Sequence, residues 1–104
     1  MRVSVLASSS SGNATYIETP QHKVLVDAGL SGKKLNDLLH SIDRDLKDID
    51  SVFITHEHTD HCRGVGVLAR RYPQLTVYAN APTFAALPRS VGELPPDQLR
   101  VFDR

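Results

Sequence analysis

Three of the chain's five histidines stand within six consecutive residues, His56-Glu57-His58-Thr59-Asp60-His61. Imidazole and carboxylate are the side chains that hold a catalytic zinc while leaving it an open coordination position. In an extended segment His56 and His58, two apart, project to the same side. Asp60 and His61 are adjacent and diverge, which suits them to a second metal better than to the first. The pattern reads as one edge of a two-metal site, not as a closed structural one. A histidine-rich hexapeptide can also be a solvated loop or an incidental surface binder. Four ligand-type residues at one junction between elements weigh against that.

That junction is visible on both sides of the motif. Ser51-Val52-Phe53-Ile54-Thr55 is a short apolar, β-branched run and predicts a buried strand. Beyond the motif, Val65, Leu68, Ala69 and Tyr72 recur at helical spacing, which predicts a helix with one buried face. Open α/β sheets bind ligands at such strand ends.

Upstream, residues 2–7 alternate like a strand. Residues 8–13 form a polar turn, residues 14–19 a second strand and residues 23–27 a third. The short connections predict an antiparallel meander. Ser31 is placed to cap a helix whose buried stripe is Leu35, Leu38, Leu39 and Ile42. A charged connection follows, anchored by Leu46 and Ile49. Pro73 ends the second long helix. Residues 75–79 read as a fifth strand, Asn80 and Pro82 open a short helix, and residues 99–102 begin another strand. The serine run at residues 8–11 could be a lip that contacts substrate phosphate or a plain hairpin turn. The spacing fits no phosphate-loop pattern and favours the turn.

The motif after a hydrophobic strand, with its His-x-His-x-Asp-His spacing, resembles the metallo-β-lactamase-fold hydrolases. The run Lys23-Val24-Leu25-Val26-Asp27-Ala28-Gly29 is similar to the family's strand ending in Asp-x-Gly. There the aspartate lies beneath the metal loop as a support, so the resemblance gives Asp27 that role and not a ligand's. The opening Leu6-Ala7-Ser8-Ser9-Ser10-Ser11-Gly12-Asn13-Ala14-Thr15-Tyr16 resembles the YycJ/WalJ-like branch, described as 5′→3′ exonuclease-like. The resemblance implies an α/β fold, the N-terminal half of an αββα sandwich over residues 1–104, with a mixed sheet carrying helices on one face. It implies two zinc ions per complete site, with manganese as the alternative. His56 and His58 would hold the first metal, and Asp60 and His61 the second. Asp60 would also orient the water that attacks a phosphodiester in nucleic acid.

The family completes its site with a further His for each metal and a bridging Asp, all later in the chain. Past His61 this sequence has no histidine, and its later carboxylates, Glu93, Asp97 and Asp103, stand in no matching context. With two donors per metal, the 104 residues alone are expected to be inert even if a longer parent is an enzyme. A thioester, lactone or lactam hydrolase would use the same motif. A non-catalytic fragment that self-associates through an exposed apolar face is the third reading.

Composition is that of an ordinary globular protein, 40% hydrophobic and 23% charged with zero formal net charge, so no bulk attraction to nucleic acid operates. Cys62 is the single cysteine, which excludes an intrachain disulfide. Beside the motif it could be a ligand, but it reads better as a small buried residue. His22 and His40 read as surface residues. No export signal or membrane-length apolar run is present, and a cytoplasmic location is expected.

Overall fold

The computed structural model describes residues 1–102. A six-stranded sheet runs in chain order, with strands β1 (Arg2–Ser9), β2 (Gly12–Glu18), β3 (Lys23–Val26), β4 (Ser51–Phe53), β5 (Thr76–Ala79) and β6 (Leu99–Val101). The expected meander is present: β1–β2 and β2–β3 pair antiparallel, and β3 to β6 are parallel. Parallel neighbours need crossovers. The first is helix α1 (Gly32–Ser41), and the second carries α2 (Thr59–Cys62) and α3 (Val65–Arg71). Helix α4 (Ala81–Ala85) lies in the third. Both α1 and α2 therefore leave the carboxyl ends of parallel strands, at the end of the sheet where the histidine motif lies.

Period-two alternation sorts the strand residues onto two faces. Ala14, Tyr16, Leu25, Val52, Val77 and Ala79 are buried and form one core with Leu35 and Leu39 of α1 and with Val65, Leu68 and Ala69 of α3. Burying each large side chain contributes roughly 1.5–3 kcal/mol. Ser31 caps α1, its hydroxyl accepting from the Lys34 N–H at 3.2 Å. Leu46 and Ile49 anchor the charged connection as expected, both buried. The opposite face keeps Val3, Val5 and Phe102 exposed, with Phe53 stacked on Tyr78 at 4.5 Å between ring centroids.

Strand β4 ends at Phe53, short of the expected Thr55, and two further boundaries differ from the sequence expectation. Strand β1 continues through Ser9 and β2 begins at Gly12, so the turn is only Ser10 and Ser11 and the serine run forms a hairpin. Backbone pairing of Ser8 with Asn13 and Ser9 with Gly12 needs no apolar side chains, which is why the pattern hid it. The second difference lies within the histidine motif. Residues 59–62 form a separate helical turn, and the chain breaks at Arg63 and Gly64 before α3 begins. A β-carbon on Gly64 would lie 2.3 Å from the Leu30 carbonyl oxygen, so close packing against the loop before α1 sets the break.

The loop after α1 is fastened to β2 by charge. Arg44 donates to both carboxylate oxygens of Glu18, at 2.5 and 3.2 Å, and the Tyr16 hydroxyl donates to Glu18 at 2.6 Å. Arg44 and then Tyr16 hold the Glu18 carboxyl down at about 2. Burial, helped by Glu18, pushes the Tyr16 phenol up to about 12.

Candidate metal centre

The centre is built from the support upward. At the end of β3 the backbone of Asp27 turns into the left-handed region, φ 68°, a conformation that Asp tolerates better than most residues. Three consecutive backbone bonds hold the turn: Asp27 N to Phe53 O at 2.7 Å, Ala28 N to His61 O at 2.9 Å and Gly29 N to Asn13 O at 2.9 Å. The segment is thereby tied to β4, to α2 and to the serine hairpin together. A β-carbon on Gly29 would fall 1.8 Å from the Asp60 carbonyl oxygen, so only glycine lets α2 sit this close.

The Asp27 side chain is 8% exposed and satisfied by three donors. Thr55 N donates to Oδ1 at 2.8 Å, while the Thr55 hydroxyl and His61 Nδ1 both meet Oδ2 at 2.7 Å. These contacts assign two histidine tautomers. A carboxylate only accepts, so His61 carries a proton on Nδ1, and its neutral ring presents a bare Nε2. The Thr55 hydroxyl has one hydrogen, committed to Asp27. Its 2.9 Å contact with His56 Nδ1 must therefore be accepted from an Nδ1–H, which leaves His56 Nε2 bare as well. A bare Nε2 is the form in which imidazole binds a metal, and the partner on Nδ1 is what fixes it.

The four motif donors are unequally placed. The rings of His56 and His61 lie 4.6 Å apart, and those of His56 and His58 6.1 Å apart and 22° from parallel. The same-side projection expected of His56 and His58 fits this. Asp60 and His61 do not diverge as expected: Asp60 Oδ2 lies 3.5 Å from His61 Nε2. Both sit on the α2 turn, and Asn13 Nδ2 draws the Asp60 carboxylate in at 3.1 Å while also bonding Asp60 O at 3.1 Å and Ser9 O at 2.9 Å. The His58 side chain is 70% exposed and its one charged neighbour is Glu57 Oε1 at 3.9 Å, so Glu57 sits beside it. Among the described residues no three His, Cys, Asp or Glu groups converge at metal-ligand spacing. Asp103 lies outside the described residues.

Sequence reasoning missed Asn13 as a site residue and gave Thr55 only a hydrogen bond within the loop, not its contact with Asp27. Neither type is a metal donor of choice here, and each acts through partners distant in sequence. Cys62 is fully buried and spends its thiol proton on the carbonyls of His58 at 3.2 Å and Glu57 at 3.4 Å. Burial first, then the nearby Asp27, Asp60 and Glu57 charges, push that thiol up to about 11. His22 and His40 are exposed and face Asp50 at 3.5 Å and Asp45 at 2.8 Å.

The carboxyl ends of parallel strands thus carry the histidine turn over a buried aspartate, the arrangement of a metal-loop domain. The chain belongs to the metallo-beta-lactamase superfamily, whose sequence profile matches residues 9–100. It is 50% identical over 104 residues to the exodeoxyribonuclease WalJ of Streptococcus pneumoniae, covering 98% of this chain and 38% of that protein. The exodeoxyribonuclease YycJ of Bacillus anthracis is 46% identical over 102 residues, with the same two coverages of 98% and 38%. The chain thus spans well under half the length of the curated relatives it matches. A solved B3 metallo-beta-lactamase with an active-site glutamic acid superposes with a TM-score of 0.78 at 20% identity, over 97% of this chain and 42% of that one, which shows the fold.

Membership of the family implies divalent-metal binding, and the residues present fit a metal in type. Three imidazoles and one carboxylate are suitable donors. Hydrogen bonds on Nδ1 orient two of the imidazoles, His56 and His61, while the His58 side chain is largely exposed.

Proposed function

We propose that this chain carries the metal-loop portion of a dinuclear metallohydrolase that cleaves phosphodiesters in DNA, removing nucleotides in the 5′→3′ direction. The observation that supports metal chemistry most is the chain Asp27–Thr55–His56 with the Asp27–His61 contact, which readies two Nε2 atoms at once. The names of the two curated relatives support DNA as the substrate. His56 and His58 would hold one metal, and Asp60 and His61 the other, with zinc favoured by the donor types and manganese the alternative. When bound, such a pair supplies Lewis acidity and makes water nucleophilic at neutral pH. Asp27 keeps the protons of His61 and Thr55 on the inner side of the loop. Asn13 engages Asp60 Oδ2, which leaves Oδ1 to accept a hydrogen bond from the attacking water and orient it.

The test is a chimera in which this chain replaces the matching segment of the Streptococcus pneumoniae relative. Metal-dependent release of nucleotides from 5′-labelled DNA is expected, with no turnover of a generic thioester or lactone. A folded, metal-loaded chimera that spares DNA and hydrolyses the ester would replace this reading with the small-ester one.

The open sheet face favours a second reading for the 104-residue chain by itself. Val3 is 56%, Val5 65% and Phe102 38% exposed, and such apolar surface on an edge-stranded sheet promotes self-association. Size-exclusion chromatography across a concentration series is expected to show dimer; a monomer throughout would remove this reading.

A further inference from the structure

The proposed function leaves the serine hairpin unexplained, and a cleft of about 360 Å³ opens beside it, between the edge strand β1 and helix α1. Ser9, Ser11 and Lys34 line one part of it, and Leu6, Leu30 and Leu38 form an apolar wall. That volume lies within the range of small-ligand sites, about 300–1,000 Å³. Each part is built by a local feature. The register of β1 against β2 slips between Val5 and Ala7, which leaves Leu6 as the bulged residue and re-aims it out of the ladder. A β-carbon on Gly12 would lie 2.3 Å from Leu30 Cδ2, so glycine is required for Leu30 to pack under the hairpin. The Ser9 and Ser11 hydroxyls meet at 2.8 Å, and Ser9 Oγ also accepts from Ser11 N at 3.2 Å and reaches Gly12 O at 3.5 Å; with Ser9 donating to Ser11, the Ser11 hydrogen is the one left for a ligand. Lys34 is exposed and has no carboxylate within salt-bridge distance among the described residues.

The cleft is also wired to the metal loop. Asn13, one residue past Gly12, bonds Ser9 O, Asp60 O and Asp60 Oδ2 with the same amide nitrogen. Gly29 N, just before Leu30, bonds Asn13 O. A group held at the serine hairpin is therefore placed relative to Asp60 through two residues.

Building on the nuclease reading, we infer that this cleft is a nucleotide subsite for the DNA strand. Lys34 with the Ser9 and Ser11 hydroxyls takes the non-reacting phosphate next to the scissile one, and Leu6, Leu30 and Leu38 receive that nucleotide's base. Asp37, which also lines the cleft, accepts from a base amino group rather than facing the phosphate. The chain's zero net charge makes this a local attraction, not a general one.

The test is binding of a fluorescein-labelled single-stranded oligodeoxynucleotide, read by anisotropy over a salt series, with no metal and no turnover. Lys34→Gln is expected to weaken binding about tenfold and to lower the slope of log K against log salt by about 0.7, one phosphate contact on a single strand. Ser9→Ala/Ser11→Ala is expected to weaken binding several-fold without changing that slope. Lys33→Gln is the control, because Lys33 lines a different groove, on the α3 side of α1. Equal losses in Lys33→Gln and Lys34→Gln would overturn the subsite in favour of diffuse charge. Wild-type-like binding by Lys34→Gln and by the serine variant, or no binding by the wild type, would also overturn it. In either case nuclease activity in the chimera would leave the reaction assignment standing, whereas DNA binding with the expected losses but no nuclease activity would remove the reaction and keep the subsite.

Discussion

His61 and His58 stand three residues apart in one motif and are held in opposite ways. His61 is mostly buried, bonded through Nδ1 to a buried carboxylate, and seated on a helical turn that Ala28, just after β3, and Asn13 of the serine hairpin brace. The His58 side chain is largely exposed, and among the described residues its charged partner is Glu57 at 3.9 Å. The difference teaches that the loop has an inner half linked by hydrogen bonds, Asp27, Thr55, His56 and His61, of which Thr55 and His56 are themselves exposed, and a loosely held outer half, Glu57 and His58. Pre-organisation on one side lets a metal settle against fixed donors, while the other side closes on it by side-chain rotation.

Removing the shared support is the strongest way to erase that contrast. Asp27→Ala deletes three buried contacts and is expected to destabilise the chain by about 3 kcal/mol in urea unfolding and to weaken zinc binding about 100-fold. A variant with wild-type stability and affinity would mean the inner half needs no support. Gly29→Ala comes next. Its new methyl group meets the Asp60 carbonyl, so a loss of about 2 kcal/mol is expected, together with shifted amide resonances across α2.

Thr55→Val tests the relay to His56 while leaving the His61 contact in place. Zinc affinity should fall about tenfold with a stability loss near 1 kcal/mol. On the outer half, His58→Ala should change stability by less than about 0.5 kcal/mol yet abolish metal-dependent turnover in the chimera. Retained turnover would remove His58 from the ligand set. The smallest effect lies away from the loop. Glu18 is held at about 2, below its ordinary 4.5, so its contribution is complete above pH 4.5 and is lost as pH falls through about 2. Glu18→Gln should flatten that acid limb and leave zinc binding unchanged.

The four motif donors, His56, His58, Asp60 and His61, were legible in sequence on both halves, because they are close neighbours of metal-binding type. The inner half depends on contacts between segments far apart. Asp27 could be placed only through the family's Asp-x-Gly strand, since nothing local marks it. Thr55 reads as the end of a strand and Asn13 as a turn residue. Their roles exist because Asp27 lies 28 residues before Thr55 and Asp60 lies 47 after Asn13. The separate α2 turn was hidden for another reason: four residues are too few to show a helical period. The longer helices, their Ser31 and Asn80 caps and the strand order up to the motif followed from periodicity and capping chemistry.

The central claim is that Asp27 and Thr55 fix His56 and His61 with their protons on Nδ1, ready to bind through Nε2. Long-range proton–nitrogen NMR of the 15N-histidine-labelled, metal-free chain, at a pH where the rings are neutral, reads the tautomers directly. The expected result is Nδ1–H for His56 and His61 and an Nε2–H-weighted mixture for His58. Nε2–H signals for His56 and His61, or one tautomer mixture shared by all three, would contradict it.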